Sequence, residues 1–105
     1  MIYQNPILPG FHPDPSVCRV GRDFYLVTST FEYFPGIPVY HSTNLINWQL
    51  CGHCLTRQSQ LPLQNERSSK GLYAPTIRFH DGVFYMTTTH TGQFGNFIVH
   101  AQDPA

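Results

Sequence analysis

At 105 residues the chain is long enough for one small domain, and a composition that is 41% hydrophobic and 14% aromatic can furnish its core. Only 11% of residues are charged and the formal net charge is zero, so there is no basic stripe for nucleic acid and no polybasic anchor for a membrane surface; a neutral ligand fits better. The opening MIYQNPILPGFHPDP lacks a basic segment followed by a long apolar core, and no later stretch reaches membrane-spanning length, so the chain as written is expected to be soluble and cytoplasmic.

The first element of note is FHPDPS, Phe11 to Ser16, in which a single carboxylate, Asp14, stands between Pro13 and Pro15. Each proline fixes its own φ, and Pro15 is expected to push Asp14 towards β or polyproline geometry, mounting the carboxylate on a stiff support. SVCRV and FYLVTST follow as two strands around the turn Gly21-Arg22-Asp23, a β-hairpin that places Asp14 at the mouth of a strand. Pro35, Gly36 and Pro38 mark EYFPGIP as a loop standing away from the sheet, after which VYHS, Val39 to Ser42, resumes as a short third strand and NWQL, Asn47 to Leu50, as a fourth. Cys54 to Gly71 is mostly polar and reads as a long connection. YAPTIRF, VFYMTTT and NFIVHA then give three more strands, with His80-Asp81-Gly82 as the second hairpin turn.

Cys18, Cys51 and Cys54 are an odd set, which argues against a secreted disulfide framework and for a reducing compartment. CGHC, Cys51 to Cys54, has the spacing of a dithiol redox motif. Such a pair works at a helix N-terminus, where the dipole lowers the thiol pKa, yet the polar stretch that follows contains Pro62 and has no helical apolar period. The six histidines lack metal-ligand spacing, so neither a metal nor a cofactor is expected.

The second group of strands repeats the first. Pro15-Ser16-Val17 matches Pro75-Thr76-Ile77 and Phe24-Tyr25 matches Phe84-Tyr85, both sixty positions on and without a gap. At the same offset Thr28 meets Thr88, Ser29 meets Thr89, Val39 meets Val99 and His41 meets Ala101. A β-unit recurring at this interval is the signature of a propeller blade. Ser16 to Leu50 is then one antiparallel blade and Thr76 onward begins a second; Trp48 closes the first, and its counterpart would fall beyond Ala105. The chain therefore reads as the N-terminal part of a longer protein, ended within a repeat.

Asn5 to Leu50 resembles the amino-terminal segment of glycoside hydrolase family 43, in its β-xylosidase and α-L-arabinofuranosidase branch, and the likeness continues through GLYAPTIRFHDGVFYM, where Tyr73-Ala74-Pro75 stands for the family's Trp-Ala-Pro. The resemblance implies an all-β fold, a five-bladed β-propeller in the full protein, of which residues 1–105 hold the first blade and most of the second of the catalytic domain. It implies an inverting glycosidase releasing xylose or arabinose from xylan-derived oligosaccharides, with Asp14 as general base. The general acid Glu and a second, pKa-modulating Asp would come from later blades, so this chain alone would be inactive; Glu32, Glu66, Asp23, Asp81 and Asp103 are assigned no acid role. Phe31 corresponds to an aromatic lining the sugar site and Tyr73 to the Trp that walls it, a smaller platform for the apolar faces of a sugar ring. His12, Ala74 and Pro75 would shape the pocket floor. Two alternatives stay open: a sugar-binding propeller without catalysis and a dithiol oxidoreductase.

Overall fold

β-Branched and aromatic residues are frequent along both groups of strands, and among the described residues of the computed structural model every regular element is a β-strand. The structure describes residues 2–30, 35–55, 72–90 and 95–104. β1 (Ser16–Val20), β2 (Asp23–Val27), β3 (Gly36–Ser42) and β4 (Gln49–Leu55) form one antiparallel sheet in sequence order. β5 (Thr76–His80), β6 (Val83–His90) and β7 (Gly95–Ala101) form a second. Among the described residues no helix is long and apolar enough to cross a membrane.

The repeat holds in the first two strands of each sheet. Ser16 pairs with Val27 and Val20 with Asp23; Thr76 pairs with Thr87 and His80 with Val83, the same register sixty positions on. Their turns differ. Gly21 alone has a positive φ in the first hairpin, as a type II′ turn requires, whereas Asp81 and Gly82 both do in the second, as type I′ requires. The two turns leave Asp23 and His80 inside strands. The third strands depart from the expected register: Tyr25 faces His41 but Tyr85 faces His100, so the equivalent of His41 is His100, fifty-nine positions on, and not Ala101. A gap of one residue therefore separates the repeats after their second strands.

Two further expectations are corrected. Gly36 to Pro38 is not a loop but the buried start of β3, with Ile37 fully buried at φ 57° and its N–H donating to Thr30 Oγ1 at 3.2 Å. Burial of the side chain and that hydrogen bond outweigh a φ that a β-branched residue rarely adopts. Pro38 is tolerated because β2 has already ended at Val27, which pairs with Val39. β4 starts later than NWQL suggests and runs on through CGHC to Leu55. Asn47 and Trp48 are kept out of it by an Asx turn, in which Asn44 Oδ1 accepts from the N–H groups of Ile46 and Asn47, each at 2.9 Å, and Trp48 Nε1 donates to Leu45 O at 3.2 Å.

The sheets share one core: Val27, Ile37, Val39 and Leu55 from the first meet Ile77, Phe84 and Met86 from the second. Tyr25 and Phe84 meet edge to face at 5.0 Å, and Ile77 N–H donates to Ser16 Oγ at 3.2 Å, which ties the first strands of the two sheets side by side.

Candidate active site

β1 and β5 are the facing strands, and the residues that precede them lie at the same end of the pair. Before β1 the chain carries Pro13-Asp14-Pro15; before β5 it carries Tyr73-Ala74-Pro75. The stretch after β2 meets the first of these: Ser29 N–H donates to Pro13 O at 3.0 Å and Ser29 Oγ donates to Asp14 Oδ2 at 2.8 Å. Ser29 is fully buried, whereas Asp14 is exposed. Among the described residues no protein group hydrogen-bonds Asp14 Oδ1, so one oxygen of this exposed carboxylate is held and the other has no protein partner among them.

Asp14 does not have the β or polyproline backbone that a following proline favours. Its φ is 53°, in the left-handed region. Asp tolerates that region better than most residues, but with Pro15 behind it the conformation is locally unfavourable by about 1–3 kcal/mol. The two bonds from Ser29, fifteen residues away in sequence, hold it there. A carboxylate fixed by one oxygen and open at the other can take a proton from a water molecule placed beside it.

The other residues singled out from the sequence take varied places. His12 is half-buried, donating from Nε2 to Pro9 O at 2.9 Å and setting its ring edge-on to Tyr40 at 5.2 Å. Gly10, at φ 118°, passes so close that a Cβ there would lie 3.1 Å from His12 Nε2, so this histidine braces the turn leading to Asp14. Tyr73 is half-buried, with its N–H on Thr89 O at 3.0 Å and its carbonyl accepting from Thr88 Oγ1 at 2.6 Å; Ala74 is exposed and Pro75 buried. The expectation for Phe31 falls outside the described residues, as do those for Glu32 and Glu66. Asp23 faces His41 at 2.7 Å, and Asp81 lies in the second hairpin turn. Ser29 was not singled out as a site residue; the only hint to it was its alignment with Thr89.

The thiols are not arranged for redox chemistry. Cys51 and Cys54 lie on β4, not at a helix N-terminus, and all three cysteines are free. Burial, reinforced by the neighbouring Cys51, pushes the Cys54 thiol up to about 12, and burial raises Cys51 as well. A reactive thiol needs the opposite shift. A cavity of about 160 Å³ between the sheets is lined by His53, Cys54, Phe84 and Asp103 among others, and it does not include Asp14.

Two neighbouring antiparallel blades, with an aspartate fixed at the entry of the first strand of the first, are the class of protein these features define: a β-propeller with a carboxylate-bearing site. The chain matches the family model for glycosyl hydrolases family 43 over residues 3–105, and it belongs to that family. It is 56% identical to a non-reducing end α-L-arabinofuranosidase, BoGH43B, of Bacteroides ovatus over 98% of this chain and 20% of that protein. It is 55% identical to a xylosidase/arabinosidase of Butyrivibrio fibrisolvens over 100% of this chain and 20% of that one. The solved structure of the Bacteroides ovatus xyloglucan PUL GH43B superposes with a TM-score of 0.93 at 56% identity, covering 97% of this chain and 21% of that one. The chain thus spans about a fifth of the length of the curated relatives it matches.

Proposed function

We propose that residues 1–105 are the amino-terminal part of the catalytic propeller of an inverting glycosidase that releases xylose or arabinose from xylan-derived oligosaccharides, with Asp14 as the general base. The observation that carries this reading is the left-handed Asp14, held through Oδ2 by buried Ser29 and open at Oδ1. Relatives named as arabinofuranosidases and xylosidases support the substrate class. In an inverting mechanism a carboxylate draws a proton from water on one face of the sugar while a carboxylic acid roughly 6.5–9.5 Å away protonates the leaving oxygen. The acid is assigned to a later blade of the complete enzyme, together with the modulating aspartate. Tyr73, Ala74, Pro75, His12 and Phe31 are proposed to line the sugar site around the base, with Tyr73 giving a smaller wall than a tryptophan.

The test is steady-state kinetics on an aryl xyloside and an aryl arabinofuranoside with the complete enzyme and its Asp14→Asn variant. The amide keeps the volume and removes the base, so kcat is expected to fall about 10²–10⁴-fold with a much smaller change in sugar binding. The 105-residue chain, run as a control, is expected to turn over neither substrate. A variant that keeps most of its kcat removes Asp14 from the mechanism, and full sugar binding by a wild type with no turnover points to a binding propeller instead.

A further inference from the structure

We infer that Ser29 is the positioning residue for Asp14: its buried hydroxyl selects which carboxylate oxygen takes the proton and holds the side chain in the one orientation that presents it. This rests on the reading of Asp14 as the base.

The hydroxyl is not needed to join the strands. Ser29 already makes that joint with its backbone, N–H to Pro13 O at 3.0 Å. The second sheet supplies the internal control. There the equivalent backbone bond is Tyr73 N–H to Thr89 O at 3.0 Å, Thr88 Oγ1 adds a bond to Tyr73 O at 2.6 Å, and the hydroxyl of Thr89, the residue aligned with Ser29, takes no part in the joint and donates to Asn96 Oδ1. No carboxylate is present at Ala74, and the side chain at the serine position bonds elsewhere. The hydroxyl–carboxylate bond therefore belongs to the first sheet's particular task and not to the blade architecture.

Its physical effect follows from geometry. A carboxylate at a left-handed φ can rotate about its side-chain torsions and offer either oxygen to solvent. The 2.8 Å bond from a fully buried donor fixes Oδ2 and leaves Oδ1 as the acceptor for the water proton. Because the acceptor is charged, this is one of the stronger classes of hydrogen bond. Losing it frees the carboxylate to populate orientations from which the water proton is out of reach, which lowers kcat and leaves most of the sugar contacts intact.

The experiment uses the complete enzyme and an aryl xyloside. Ser29→Ala is expected to lower kcat about tenfold to one-hundredfold, with KM within about threefold, consistent with a lost hydrogen bond to a charged group. Ser29→Thr keeps the hydroxyl, in a side chain the fold already accepts at Thr89, and is expected to recover kcat to within about threefold of wild type. Ser29→Cys keeps the volume with a weak donor and should behave like Ser29→Ala; it replaces that variant in the comparison if Ser29→Ala fails to fold, as checked by thermal melting. In an Asp14→Asn background the Ser29→Ala change should cost no further activity, because the group it acts through is gone. A loss under about twofold for Ser29→Ala, an equal loss for Ser29→Thr, or an additive loss in the double variant would each overturn the inference. Asp14→Asn alone separates the two claims. If it keeps its kcat the base reading fails, and if it collapses while Ser29→Ala does not, only the positioning role fails.

Discussion

The two sheets are built alike up to the end of their second strands and differ at the residue that matters chemically. In both, a proline opens the first strand, a two-residue turn leads to the second, and a residue two positions beyond the last pair of that hairpin, Ser29 or Thr89, bonds the residue two before the proline. In the second sheet Ala74 precedes Pro75 with no positive φ, as a residue before proline should. In the first sheet Asp14 precedes Pro15 at φ 53°, against the local rule. The difference lies in the join. Tyr73 can donate its N–H to Thr89, while Pro13 has none to give and only accepts, leaving Asp14 to be caught by the side chain of Ser29. One blade keeps the regular path; the other departs from it where a carboxylate has to be aimed. Local strain of this kind persists only when surrounding contacts over-determine it, and it concentrates at working sites.

The sharpest way to break the comparison is to exchange the two residues. In the complete enzyme, Asp14→Ala combined with Ala74→Asp moves the carboxylate to a position with the same neighbouring proline but without the left-handed backbone or the serine. Activity is expected to fall at least as far as in Asp14→Asn, about 10²–10⁴-fold, with no recovery from the relocated acid. Recovery to within tenfold of wild type, read from kcat on an aryl xyloside, would show that any aspartate at this end of the strands suffices and that the geometry at Asp14 is incidental.

The comparison also explains what could be read in advance. β1, β2, β5 and β6 were legible because their apolar runs and turn residues are local signals, and the ungapped offset of sixty agrees with the common register of the two hairpins. The third strands were misaligned by one residue because register there depends on the length of the connection after β2 and β6, which no motif marks. Gly36 to Pro38 reads as loop and Cys54 to Leu55 as the start of the long connection, and both become strand because the start of β3 pairs with the end of β4, Gly36 with Leu55 and Pro38 with His53. Asp14 was visible as a candidate through its flanking prolines, yet those same prolines suggested the wrong backbone. Its actual conformation is imposed from Ser29, a long-range contact that no local rule contains.

A second contrast is chemical. All three cysteines lie in the first sheet, on β1 and β4, and the position equivalent to Cys18 in the second sheet is Arg78. Burial pushes the Cys54 thiol up to about 12 from an ordinary value of 9.0. The folded thiol thus keeps its proton where the unfolded chain has lost it. The stabilisation is fully present below pH 9.0 and is lost as pH rises through the window towards about 12, because there the unfolded state binds fewer protons. One such group gives a slope of at most about 1.4 kcal/mol per pH unit. Denaturation midpoints across that window should therefore fall more steeply for wild type than for Cys54→Ala. Amide exchange should show the first sheet losing protection ahead of the second, and equal slopes for the two proteins would place the alkaline sensitivity elsewhere.

The smallest expected effects lie in the two hairpin turns, and they sharpen the comparison because the turns do the same job by different means. Gly21 has φ 62° and is the only positive-φ residue of its turn; Gly82 has φ 78° and shares the burden with Asp81 at 49°. A Cβ at either glycine meets nothing within 4 Å, so replacement by alanine tests backbone conformation alone. Gly82→Ala enters the left-handed region that L-residues visit at about 1–2 kcal/mol. Gly21→Ala is expected to cost more, because the first position of a type II′ turn suits glycine and the residue after it, Arg22, has no positive φ to share. Arg19 Nε donates to Gly21 O at 2.8 Å, a bond that runs to backbone and survives a change of side chain. Replacing Gly21-Arg22 by Asp-Gly should convert the first turn to the second's type with a net change within about 0.5 kcal/mol, since both types match the right-handed twist of the flanking strands. Urea midpoints at constant m-value give the three numbers. If Gly21→Ala proves milder than Gly82→Ala, or the Asp-Gly graft destabilises by more than the alanine at Gly21, the turns are not interchangeable devices and the first hairpin is held by contacts outside its turn.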